Sequence, residues 1–142
     1  MNDRGNGPVY VAGLGCRRGC PASALLAVLQ EGLARAGVPL AALTALASVA
    51  HKRDEPGLWQ LARQLERPLV FFPPPALQVW QSQLTRHSAR VQQITGVPGV
   101  AEAAALALAA RLAGAVPGLR LGKYSHAAAS MALAEAWPEE AA

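Results

Sequence analysis

Apolar and polar positions fall in blocks along the chain, and glycine or proline marks most block boundaries. "PVYVAGLG", residues 8–15, is an apolar run with β-branched and aromatic residues, closed by glycine. Such a run predicts a buried strand. "PASALLAVLQEGLARAG", 21–37, changes period: Leu25, Leu26, Leu29 and Leu33 share one helical face, Pro21 suits the first turn and Gly37 the stop. After Val38-Pro39, "LAALTALASVA" starts as a helical pattern, while 45–50 reads equally well as a second strand. Period alone does not separate the two. Residues 51–66 open with charges of both signs and then place Leu58, Leu61, Ala62 and Leu65 inward on a helix. "RPLVFF", 67–72, is a short strand stopped by Pro73, Pro74 and Pro75.

"ALQVWQSQL" gives a turn or two of helix, "RHSARVQQITG", 86–96, is polar, and "VPGVAEAAALALAARLAG", 97–114, is a glycine turn feeding a long helix. In "LRLGKYSHAAASMALAEAW" alanine favours helix, whereas the Gly122-Lys123 punctuation favours two short strands. No internal repeat is visible. The succession of strand, helix, strand, helix, strand, helix, helix predicts an α/β fold with parallel neighbours in the sheet. Ligands of such sheets bind outside the carboxyl ends of the strands.

Composition narrows the class. The chain has 142 residues, 52% hydrophobic and 15% charged, which predicts one packed domain rather than a disordered segment. A formal net charge of +4 points to an anionic partner, a polycarboxylate or a phosphate. Nucleic acid is disfavoured, because aromatic residues are 5% and no lysine-rich tail exists. Cys16 and Cys20 are four apart, outside the C-x-x-C spacing, and no histidine stands beside them. They read as two reduced thiols, with no metal site expected, although Cys20 at a helix start is placed for a lowered pKa. "MNDRGNGP" has no apolar core of a secretory signal, and "AEAAALALAARLAGAV" carries Glu102 and Arg111 and is too short to span a membrane. A cytoplasmic protein with no membrane partner is the expectation.

Three loops carry candidate chemistry. "GLGCRRGC" sets Gly13, Gly15 and Gly19 around Arg17 and Arg18, one residue off the dinucleotide fingerprint. Glycine N–H groups, a helix N-terminus and two forked cations suit an anion. A ribose-holding acid after the second strand is lacking, since "HKR" stands there. "HKRDE" offers Lys52 and Arg53 as cations, His51 as a ligand or a base, and Asp54 and Glu55 as bases or a helix N-cap, with Asp54 the better placed for the cap. "TGVPGVAEAAAL" brackets a turn with Gly96 and Gly99, and puts Glu102 in a first helical turn. There a carboxylate suits the dipole, and it could also act as a general base. Ser125 and His126 are adjacent, but no G-x-S-x-G elbow supports a serine triad. His51, His87 and His126 lack the spacing of a metal site.

Taken in order, "GLGCRRG", "KRDEPGL", "RPLVFF", "TGVPGVAEAAAL" and the lone Lys123 resemble the family of CobE and the C-terminal domain of CbiG, proteins of cobalamin biosynthesis. The resemblance runs from about Val9 to about Ala136, and it is closer to the free-standing form. It implies a single α/β domain over 8–137, between short tails at 1–7 and 138–142. About five strands in a mixed, mostly parallel sheet would carry the packed helices, with the tail of the domain as strands. It also implies a corrinoid or precorrin partner, a macrocycle rimmed by carboxylates. Gly13, Gly15, Cys16, Arg17, Arg18, Gly19, Lys52, Thr95, Gly96, Gly99 and Lys123 would then bind the ligand. A carrier or accessory role is the expectation, with other enzymes of the pathway as further partners and no cofactor. The alternatives are a hydrolase opening a lactone on a corrin intermediate, with Asp54, Glu102 and His51 as acid or base, and a phosphate- or nucleotide-binding module.

Overall fold

The computed structural model describes residues 7–87 and 99–138. Strand β1 (Val9–Cys16) leads through a tight turn into helix α1 (Ala22–Ala36). A 3-10 turn precedes β2 (Ala45–Val49), and a second one joins β2 to α2 (Pro56–Leu65). Then follow β3 (Leu69–Phe72), α3 (Pro74–His87), α4 (Val100–Ala113), β4 (Gly118–His126) and β5 (Ala129–Ala136). The five strands form one mixed sheet in the order β3-β2-β1-β5-β4. β1 pairs in parallel with β2, and β2 with β3; β5 lies antiparallel between β1 and β4. Four strands therefore point one way, and β5 alone runs against them.

Both ambiguous segments resolve as strand. All five residues of β2 are buried, so the strand has no polar face and its sequence shows no alternation. The alanine-rich tail folds as β4 and β5, a hairpin whose two-residue loop holds Ala127 at φ 57. Helical propensity loses here to sheet pairing, because β5 gains a full ladder against β1 from Val9↔Ala136 to Cys16↔Ala129. The helical start expected at 40–44 is a single 3-10 turn, Leu40–Ala42.

The sheet separates two cores. On one face Leu25, Val28, Leu29 and Leu33 of α1 and Leu58 and Leu61 of α2 pack over Ala12, Leu14, Leu46 and Leu133. Full burial of each leucine contributes roughly 1.5–3 kcal/mol. On the other face the alanines of α4 lie against Val11, Ala45, Ala47 and Ala134, with Leu77 of α3 behind them. Small residues on both sides bring α4 very close. At Gly13 a side-chain carbon would run into the backbone carbonyl of Ala101. No helix among the described residues is long and apolar enough to cross a membrane.

Candidate functional site: a cationic edge at the strand ends

The carboxyl ends of β1 and β2 deliver two loops to the same edge of the sheet. Cys16 closes β1, and residues 17–20 form a tight turn in which the Cys20 N–H donates to the Arg17 carbonyl at 3.0 Å. Gly19 sits at φ 77, the left-handed conformation that glycine adopts without penalty. The Arg17 N–H donates to the Ala128 carbonyl at 2.9 Å, which ties the turn to the β4–β5 hairpin. Arg17, Arg18 and Gly19 are all exposed.

The β2–α2 loop meets this turn from the side. Glu55 is buried, and its Oε1 accepts the Gly19 N–H at 2.9 Å. Sequence reasoning placed the N-cap of α2 at Asp54. The structure places it at Glu55, with no side-chain cap bond, and leaves Asp54 exposed. The reason is that Pro56 opens the helix one residue later, and the Glu55 carboxylate bonds the neighbouring loop instead of its own helix. Lys52 is half-buried, near enough to Cys16 and Cys20 to act electrostatically on both thiols. His51 and Arg53 are exposed, and the Arg53 carbonyl accepts the Trp59 Nε1–H at 2.8 Å.

The thiols do not have the lowered pKa that a helix start suggested for Cys20. Burial pushes Cys16 up to about 11, with the neighbouring thiol adding to the shift and Lys52 opposing it. Burial also pushes Cys20 up, with Glu55 in the same direction. Loss of hydration outweighs the attraction of the helix dipole and of Lys52. Both cysteines are neutral thiols, and no group of three or more metal-ligating side chains occurs among the described residues.

Lys123 and Glu102 approach from β4 and α4. The β4–β5 register shifts between Leu121 and Tyr124, so Gly122 and Lys123 bulge out of the ladder. Glu102 holds this bulge: its Oε2 accepts the Lys123 N–H at 2.9 Å. The carboxylate expected as a dipole partner or a base is thus a clamp that fixes the backbone from which the Lys123 side chain projects. Gly99 caps α4 in the left-handed region at φ 45. Thr95 and Gly96 lie outside the described residues.

The expected cradle of glycine N–H groups is largely committed elsewhere. Gly13 and Gly15 are paired in the sheet with Ala132 and Ser130, and Gly13 is buried beneath α4. Gly13 thus serves close packing, and the Gly19 N–H serves Glu55. What remains for an anion is charge. Among the described residues no side-chain hydrogen bond or ion pair engages Arg17, Arg18, Lys52 or Lys123; the ion pairs are Arg120–Glu135 and His126–Glu31. Helix α1 begins with neither a side-chain cap nor an acid in its first turn, whereas α4 has Glu102 in its first turn and α2 starts at Glu55, so α1 alone of the three has no acid of its own to offset the positive end of its dipole. Sequence reasoning offered Glu55 as a base or a helix N-cap, and its bond to the Gly19 N–H of the neighbouring loop left no local signal.

Residues 10–134 match the family model described as cobalamin synthesis G C-terminus. The chain is 37% identical over 105 residues to protein CobE of a Sinorhizobium species, covering 74% of this chain and 68% of that one. It is similar to a crystal structure of CobE, a protein from the cobalamin biosynthetic pathway, with TM-score 0.80 and 49% identity over 91% of this chain and 94% of the other. It is also 31% identical over 98 residues to the cobalt-precorrin-5A hydrolase of Priestia megaterium, covering 69% of this chain and 26% of the hydrolase. The chain belongs to the cobalamin synthesis G C-terminus family and is a protein of cobalamin biosynthesis.

Proposed function

We propose that this protein binds an anionic corrinoid or precorrin intermediate at the cationic edge, as a carrier or accessory factor of the pathway. The observation that carries the reading is a set of cations unpaired among the described residues: Arg17, Arg18 and Lys52 on loops at the strand ends, and Lys123 in the bulge of β4. A macrocycle rimmed by acetate and propionate groups presents several carboxylates at fixed spacing. Arginine forks and lysine ammonium groups on separate rigid loops suit such a rim. The half-buried Cys16, held as a neutral thiol, offers a weakly polar wall beside it.

Spectral titration of the purified protein with hydrogenobyrinic acid and related corrinoids tests this. The expected result is a saturable shift, weakened at least about tenfold in an Arg17→Ala/Arg18→Ala variant, since each lost charge-assisted bond is worth about 1.5–3 kcal/mol. An unchanged titration in that variant would remove the main support. Release of a product during the titration, abolished in Asp54→Asn, would turn the reading towards the hydrolase. Binding of inorganic phosphate with no response to corrinoids would favour a phosphate module.

A further inference from the structure

Glu55 is 9% exposed and, with Ser48, is one of two buried polar side chains among the described residues. Burying a carboxylate is unfavourable unless it is well bonded. At the N-cap of α2 the nearest use of its oxygens would be the N–H groups of its own helix, yet it makes no such bond. It reaches instead across 36 positions to the Gly19 N–H. Two residues further on, Gly57 stands so close to the Cys20 carbonyl that no side chain fits between them. The β1–α1 turn and the start of α2 are therefore interlocked at two adjacent points. Gly19 itself has open space where a side chain would be, so packing does little to fix the turn there.

We propose that Glu55 is a positioning residue of the anion site. Its carboxylate pins Gly19 and thereby holds Arg17 and Arg18 in the arrangement that meets the ligand, without touching the ligand itself. The identity of the ligand rests on the corrinoid reading above; the pin does not. Glu55 carries a negative charge beside a site for anions, so its charge opposes binding while its oxygen supports it.

Two substitutions in the full-length chain separate oxygen from charge. Glu55→Gln keeps an acceptor at the same reach and removes the charge. Glu55→Asp keeps the charge and shortens the reach. Amide exchange at Gly19, followed by NMR without ligand, is expected to stay slow in Glu55→Gln and to quicken about tenfold or more in Glu55→Asp. In the hydrogenobyrinic acid titration Glu55→Gln is expected to bind as tightly as wild type or more tightly, and Glu55→Asp about tenfold more weakly. The opposite pattern, with Glu55→Asp normal and Glu55→Gln impaired, would assign the role to charge and overturn the proposal. Quicker Gly19 exchange with unaltered affinity would overturn it as well, because the turn would not need holding. If Glu55→Asp does not fold, Glu55→Gln decides alone: loss of slow exchange and of affinity sinks the pin. Absence of corrinoid binding in every chain, with the expected exchange pattern, would remove the ligand reading and leave Glu55 as the pin of the turn.

Discussion

At the scale of single residues, the buried polar groups each close a specific bond. Ser48 Oγ donates to the Leu14 carbonyl at 2.7 Å between two central strands, and no buried side-chain nitrogen or oxygen lacks a partner among the described residues. The thiols give the protein a pH dependence of definite sign. In the unfolded chain a cysteine titrates near 9.0, while burial holds Cys16 at about 11 and shifts Cys20 the same way. Between those values the folded chain binds more protons than the unfolded one, so stability is full below about 9 and falls as pH rises towards about 11. Denaturant midpoints followed across that window should decline. A Cys16→Ala/Cys20→Ala variant should decline less over the same window; parallel curves would mean that other groups cause the loss.

At the scale of elements, the approach of helix to sheet is set by positions without side chains. Gly13 admits the backbone of α4, and Gly32 of α1 admits the Met131 side chain of β5. A methyl at Gly13 meets backbone, which cannot rotate away. Gly13→Ala should therefore cost about 1–3 kcal/mol or more by denaturant unfolding. Gly118, with nothing near it at the start of β4, is the control: its alanine variant should stay within about 0.5 kcal/mol of wild type. Equal effects of the two would show that α4 shifts freely on the sheet.

For the whole molecule, the topology sets cations from distant positions at the carboxyl ends of β1 and β2 and on the edge strand β4. Arg17 and Arg18 come from the first crossover, Lys52 from the second and Lys123 from the bulge in β4. Exposed charges are screened over about 8 Å at physiological salt, so corrinoid affinity should fall as salt is raised. The Arg17→Ala/Arg18→Ala variant should fall with a shallower slope, measured by the same titration across a salt series. A slope equal to wild type would place those two arginines outside the ligand's field.

Much of this protein can be read along the chain. α1 and α2 repeat their leucines at helical spacing because each faces one core, while β1, β3 and α4 show as apolar runs bounded by glycine or proline. The position of the two cationic loops followed from the strand-helix order, since each leads from a strand end into a helix, where an α/β sheet presents its strand ends. Tertiary structure decided the rest. β2 is buried on both faces and β5 is built largely of alanine, so neither has a period to show, and only pairing with β1 makes them strands. The partners of Glu55 and Glu102 lie 36 and 21 positions away, beyond any local pattern. Sequence thus supplied the periods and the charges; the sheet, by closing long-range hydrogen bonds, chose which alanines extend, which glycines pack and which carboxylates hold the site together.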